Sequence, residues 1–175
     1  MSVMEKGFLQ VYTGDGKGKT TAAIGLAIRA AGAGLNVYFG QFIKQMEYSE
    51  VSILKDIDNI TWELYGTNGC IFHRPVNKTD MEGVAEGIRK AYKALDCGKY
   101  DIVILDEIFI PVSLKMMDKE DVTGLIERKK NNTELILTGR YAPDYVVEMA
   151  DLVTEMKEVK HYYQKGIKSR KGIEV

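Results

Sequence analysis

Residues Tyr12-Thr13-Gly14-Asp15-Gly16-Lys17-Gly18-Lys19-Thr20-Thr21 combine glycines, lysines and hydroxyls in a spacing suited to holding phosphate. Glycines let backbone N–H groups converge on phosphate oxygens, and an ammonium such as that of Lys19 can reach two phosphates at once. The Thr20 hydroxyl, at a helix N-terminus, is placed to hold Mg²⁺. Gly14, Asp15, Gly16, Lys17, Gly18, Lys19, Thr20 and Thr21 are therefore the expected contacts of a nucleoside triphosphate. One feature departs from G-x-x-x-x-G-K-[ST]: counting back from Gly18-Lys19-Thr20, the first glycine position is Thr13, and Gly14 stands one residue too close. The spacing predicts a short phosphate cradle.

A second group of residues completes a possible phosphoryl site. Asp106-Glu107 follows the apolar run Ile102-Val103-Ile104-Leu105, the pattern by which a buried strand delivers carboxylates beside the metal of a phosphate loop. Thr20, Asp106 and Glu107 are hard oxygen donors of the kind Mg²⁺ takes alongside water. The competing reading is an acidic cap for the next helix. Arg29, in the helix after the loop, and Arg140, after the run Leu135–Thr138, can each fork onto phosphate or ribose, although Arg29 suits a surface ion pair equally well. Lys17 and Lys44 add positive charge. The two histidines, His73 and His161, are far apart and argue against zinc, and no Gly-x-Ser-x-Gly elbow marks a protein nucleophile. Whatever chemistry occurs belongs to the ligands.

These residues need a scaffold. Strand-like runs recur at 8–13, 36–43, 61–65, 101–105, 134–138 and 152–154. The stretch from Thr21 to Ala33 reads as a helix rich in Ala, Ile and Leu. Thr79-Asp80-Met81-Glu82 has a capping-box spacing, predicting a helix that buries Met81, Val84, Ala85, Ile88, Ala91 and Leu95. Pro143 reads as the first residue of a short helix. Alternating strands and helices predict an α/β fold of the P-loop, RecA-like kind, a mostly parallel sheet with helices on both faces, in one domain over residues 1–175. In such sheets ligands bind beyond the carboxyl ends of the strands, where the loop, Gln41–Lys44, Asp106-Glu107 and Gly139-Arg140 all fall.

Composition removes other function classes. The 175 residues carry a formal charge of −1, which gives no case for nucleic acid or an acidic membrane surface. No apolar run is long enough to span a bilayer. Cys70 and Cys97 lack a C-x-x-C spacing and no secretory signal precedes Phe8, so a reducing cytoplasm is expected. The stretch from Gly66 to Lys78 reads as a long loop or lid. Lys157–Val175, basic with Tyr162 and Tyr163 interleaved, reads either as a solvated tail or as a segment folding back over an anionic ligand.

Taken together, the motifs resemble the CobA-type ATP:corrinoid adenosyltransferases, nearly end to end. The resemblance rests on Thr13–Ala23 with Arg29 after it, Gln41-Phe42-Ile43-Lys44, Val103–Glu107, Thr138-Gly139-Arg140, Ala150-Asp151, Val159-Lys160-His161 and Gly166-Ile167-Lys168. Asp15 stands where the family often has Asn. The resemblance implies transfer of the 5′-deoxyadenosyl group of ATP to Co(I) of a corrinoid, with release of triphosphate. It makes Lys19, Arg29 and Arg140 the catalytic positions that orient ATP. Phe42, Gly69, Cys70 and Phe72 become corrinoid contacts, with Cys70 and Phe72 standing where relatives present Phe and Trp. It further implies Mg²⁺ or Mn²⁺, a reduced flavoprotein as electron donor, and a homodimer. Some members carry an N-terminal helical extension over the active site, whereas this chain starts almost directly at its first strand. Two other classes use similar residues: a RecA-like switch ATPase, which would yield ADP and phosphate without corrinoid, and a non-catalytic corrinoid carrier.

Overall fold

A computed structural model describes residues 4–43, 48–66, 71 and 74–174. Six strands form one sheet: β1 (Leu9–Thr13), β2 (Val37–Phe42), β3 (Ile60–Tyr65), β4 (Ile102–Asp106), β5 (Glu134–Thr138) and β6 (Leu152–Glu155). Their order is β3-β2-β4-β5-β1-β6, and every pairing is parallel. The helices are α1 (Lys19–Gly32), α2 (Ser49–Leu54), α3 (Lys78–Asp96), α4 (Phe109–Ser113), α5 (Lys119–Arg128) and α6 (Asp144–Met149). This is the P-loop, RecA-like α/β architecture, with β5 inserted between the phosphate-loop strand and the acidic strand β4.

The strands alternate between two cores because successive side chains point to opposite faces. Val103, Leu105, Leu135 and Leu137 pack with Val84, Ala91 and Leu95 of α3 and with Val122 and Leu125 of α5. Ile102, Ile104, Ile136, Val37 and Phe39 pack with Ala23, Ala27 and Ala30 of α1 and with Leu54 of α2. The small alanine face of α1 lets that helix lie close to the sheet.

Helix α3 corrects two sequence expectations. Its N-cap is Asn77, whose side chain accepts from the Asp80 N–H at 3.0 Å, while Asp80 accepts from the Asn77 N–H at 2.9 Å. The capping box thus lies two residues before the one expected at Thr79. Arg74 fixes it by forking onto Asp80, at 2.7 Å to one carboxylate oxygen. The inward stripe moves with it: Asp80, Val84, Gly87, Ala91, Ala94 and Leu95 are buried, whereas Met81 is 43% exposed. Pro143 is the N-cap of α6, one position before the place expected.

Candidate functional site

The phosphate loop occupies Gly14–Gly18, between the last residue of β1 and the first of α1. Gly14 has φ +95°, and a Cβ there would lie 2.5 Å from the Met156 carbonyl oxygen, so only glycine fits. The Gly16 N–H donates to that carbonyl at 2.7 Å. Lys19 is 6% exposed and its ammonium donates back to the carbonyls of Gly14 at 2.6 Å and Gly16 at 2.8 Å. Burial pushes its pKa below the ordinary lysine value, with Glu107 opposing that shift. A polyphosphate replacing the two carbonyls would give this buried cation full charge compensation.

Behind the loop lies a polar hub built by strand periodicity. Gln41, Asp106 and Thr138 lie at the carboxyl ends of three adjacent strands, Gln41 one residue before the last of β2 and the others last in β4 and β5, in the same phase as Phe39, Ile104 and Ile136, and therefore face α1. Gln41 and Asp106 are register partners. Asp106, at 0% exposure, accepts from the Thr20 hydroxyl at 3.1 Å, from Gln41 Nε2 at 2.7 Å and from the Thr138 hydroxyl at 2.6 Å. These donors satisfy a carboxylate that burial would otherwise penalise heavily. Thr138 in turn accepts the Glu107 N–H at 3.1 Å. Glu107 has φ +58°, a left-handed conformation that costs a non-glycine residue about 1–2 kcal/mol, and it lines the cleft at the loop.

In front of the loop is a cleft of about 590 Å³, within the usual size range of small-molecule sites. Asp15–Thr21, Glu107 and Arg140 line it, together with Ile24, Tyr48–Glu50 and Ile53. His161 and Gly172–Glu174 close it from the far end of the chain. Arg140 stands 4.0 Å from the Asp15 carboxylate, with both side chains largely exposed, so it is held loosely and can turn to an anion.

Of the predicted site residues, the structure thus brings together Asp15–Thr21, Glu107 and Arg140 around one cleft, with Asp106 behind it and Gly14 packed against Met156. Thr20 and Asp106 meet directly. Arg29 is not brought there. It is exposed, three turns along α1 from the loop, and its charge acts on Tyr12, whose phenol is raised above its ordinary value by burial and then by Glu134, with Arg29 opposing. Phe42 also lies away from the cleft: it is 0% exposed, its ring against Tyr65 and the α-carbon of Gly87. Period-2 alternation sends it to the α3 core, so its contribution is packing beneath the strand end. Gly69, Cys70, Phe72 and Lys44 lie outside the described residues. Ile71, between those corrinoid positions, is buried at 5% exposure in the α3-side core.

The end of the carboxyl-terminal segment folds back on the loop, while residues 163–173 stay exposed to solvent. Lys17 donates to Glu174 at 2.9 Å, to the Ile173 carbonyl at 2.9 Å and to the Tyr162 hydroxyl at 3.2 Å. Arg170 and then Tyr162 and Lys17 hold the Glu174 carboxyl well below the ordinary glutamate range. Sequence reasoning gave no role to Gln41 or Thr138 as ligands of Asp106, nor to His161 and Glu174 as cleft walls. The first pair carries a legible signal, a polar residue near the carboxyl end of each neighbouring apolar strand in one phase. The second pair carries none, because its position depends on where the chain returns.

Among the described residues no three of His, Cys, Asp and Glu are grouped to hold a metal by themselves. Thr20, Asp106 and Glu107 fit Mg²⁺, which keeps several waters and takes one or two protein oxygens beside substrate phosphates. No helix of the described residues is long and apolar enough to cross a membrane.

Residues 5–175 match the family model for ATP:corrinoid adenosyltransferase BtuR/CobO/CobP. The corrinoid adenosyltransferase of Escherichia coli strain K12 is 32% identical over 170 residues, covering 97% of this chain and 86% of that protein. Corrinoid adenosyltransferase CobA of Salmonella typhimurium strain LT2 is 31% identical with the same coverage, 97% and 86%. Among solved structures, the flagellar accessory protein FlaH of Methanocaldococcus jannaschii aligns with a TM-score of 0.57 over 87% of this chain and 72% of that one, at 11% identity. That likeness concerns the fold alone.

Proposed function

The chain belongs to the ATP:corrinoid adenosyltransferase family, and from that membership we propose how its own residues carry the transfer. The reaction moves the 5′-deoxyadenosyl group of ATP to the Co(I) centre of a corrinoid. Co(I) supplies the electron pair, the Co–C5′ bond forms, the bond from C5′ to the triphosphate oxygen breaks, and triphosphate leaves with that pair. Co(I) is itself a powerful nucleophile, so no protein base is needed. What remains for the protein is alignment of three atoms and stabilisation of charge on the leaving group.

The observation that carries this reading is the convergence of the loop residues Asp15–Gly18, Lys19, Thr20 and Arg140 on one cleft, with Asp106 fixing Thr20 from behind. Lys19 exchanges its two carbonyl partners for phosphate oxygens. Arg140 swings from Asp15 to the nucleotide. Thr20, Asp106 and Glu107 are the oxygen donors that fit Mg²⁺ or Mn²⁺, directly or through water, and the chemistry such an ion supplies when bound is neutralisation of the triphosphate. Family membership implies ATP held in reversed phosphate order, with C5′ rather than the terminal phosphorus facing the corrinoid, and we assign the short cradle as the cause. Gly69, Cys70 and Phe72 are assigned to the corrinoid, with Phe72 as an apolar shield and Cys70 as either a small filler or a thiolate ligand to cobalt.

We further assign one catalytic domain over residues 1–175, action in the cytoplasm, a reduced flavoprotein to deliver the electron that converts Co(II) to Co(I), and a homodimer. Support for the homodimer is β6, an edge strand exposed along its length with Leu152 44% and Val153 41% exposed, the kind of edge that pairs with another chain.

The test is an anaerobic incubation with ATP, Mg²⁺ and chemically reduced cobalamin, separating triphosphate from ADP and phosphate. Photolabile adenosylcobalamin with equimolar triphosphate is the expected result. ADP accumulating without corrinoid, and no alkylated cobalt, would overturn it.

A further inference from the structure

After β6 the chain continues beside the phosphate loop instead of leaving it. The Met156 N–H donates to the Thr13 carbonyl at 2.8 Å and the Met156 carbonyl accepts the Gly16 N–H at 2.7 Å. A short 3₁₀ turn, Tyr162–Lys165, follows, capped by His161 Nδ1 accepting the Tyr163 N–H at 3.1 Å and ended by Gly166 at φ +78°. The chain then returns, and Glu174 reaches Lys17.

The surroundings of Glu174 are those of an anion site. Its carboxylate accepts from Lys17 Nζ at 2.9 Å, from the Arg170 backbone N–H at 2.9 Å, from Arg170 Nε at 3.3 Å and from Arg170 Nη2 at 3.2 Å, and also from the Tyr162 hydroxyl. Arg170 lies 4.9 Å from the centre of the Tyr162 ring and Lys17 5.9 Å, which fixes both cations around the phenol. Two cations face one carboxylate, leaving one positive charge uncompensated in the group. The doubly charged end of a polyphosphate matches it better than a carboxylate does, and offers more acceptor oxygens. Lys17 and Glu174 line the same cleft as Thr20, Glu107 and Arg140.

We propose that Lys17, Tyr162 and Arg170 form an oxyanion subsite for the free end of the triphosphate chain, and that Glu174 holds this subsite until the polyphosphate displaces it. The carboxyl-terminal segment is then both a wall of the phosphate site and a strap whose anchor is exchanged on binding. The exchange is easy because the strap has little else to hold it: residues 163–173 are exposed throughout, with Ile173 55% and Tyr163 73% exposed. The proposal rests on the reading that this cleft takes ATP, and it adds residues the phosphate loop alone does not supply.

The probe is inorganic triphosphate, titrated calorimetrically onto the full chain in the absence of corrinoid, with thermal melts to verify folding of each variant. Glu174→Gln, which removes the resident charge, is expected to tighten triphosphate binding about three- to tenfold. Arg170→Gln is expected to weaken it by a similar factor, and Tyr162→Phe by less. Unchanged or weakened binding in Glu174→Gln overturns the exchange, as does unchanged binding in Arg170→Gln. Adenosyl transfer by the wild type alongside an unresponsive Glu174→Gln removes the subsite and leaves the activity standing. Tightened triphosphate binding with no cobalt alkylation by the wild type does the reverse.

Discussion

Thr138→Val removes one hydroxyl and keeps the side chain's shape, so it tests whether the Asp106 hub depends on its neighbours. The hydroxyl donates to Asp106 at 2.6 Å and accepts the Glu107 N–H at 3.1 Å, and Thr138 is 0% exposed. A hydrogen bond to a charged group contributes about 1.5–3 kcal/mol and a neutral one about 1 kcal/mol. The added methyl group returns about 0.8 kcal/mol of apolar burial, and relaxation of Glu107 from its left-handed conformation returns part of about 1–2 kcal/mol. The net expectation is a loss of about 2 kcal/mol, which for a chain of this length lowers Tm by about 4–8 °C. Urea unfolding followed by circular dichroism measures the first quantity and a thermal melt the second. Because Asp106 positions Thr20, adenosyl transfer should also fall about 10- to 100-fold in kcat/KM, the usual effect of losing a residue that orients a ligand-holding group. A variant within about 0.5 kcal/mol of wild type, turning over normally, would show that Asp106 is held without Thr138 and that the hub does not set the site.

Three further outcomes follow from the same geometry. Arg140→Ala should raise KM for ATP by about tenfold or more, and Arg29→Ala should change it far less, because only Arg140 lines the cleft; the reverse ranking in steady-state kinetics would refute the placement. Gly87→Ala in α3 should destabilise by about 1–3 kcal/mol in urea unfolding despite the better helix propensity of Ala, since the new methyl would lie 2.5 Å from the Phe42 ring and 2.9 Å from that of Tyr65. Glu174 has a folded pKa below its unfolded value of 4.5, so the stabilisation it contributes is complete above that value and is lost only as pH falls through the lower folded one. A carboxyl carbon NMR titration should therefore show Glu174 changing state well below pH 4.5, and a midpoint at or above it would refute the ion cluster.

What the sequence determined by itself is the local chemistry and the order of elements. Strands expected from apolar runs fall within a residue or two of β1–β6, and the glycine–lysine–threonine loop stands between β1 and α1 as its spacing requires. These are short-range properties: alternation, glycine conformational freedom and strand-end position are written in neighbouring residues. The helix register of α3 was less legible, because Asn77 and Thr79 both suit a cap and the choice falls to Asp80, held by Arg74. Tertiary structure alone decided three further matters. It placed Thr20, Gln41 and Thr138 on a single buried carboxylate, since that requires β2, β4 and β5 to be neighbours in register. It separated Arg140 from Arg29, which have equal chemistry and different addresses. It also carried Glu174 across 157 positions to Lys17, a contact whose cause is the path of the whole chain around β6, and which no local pattern of charge encodes.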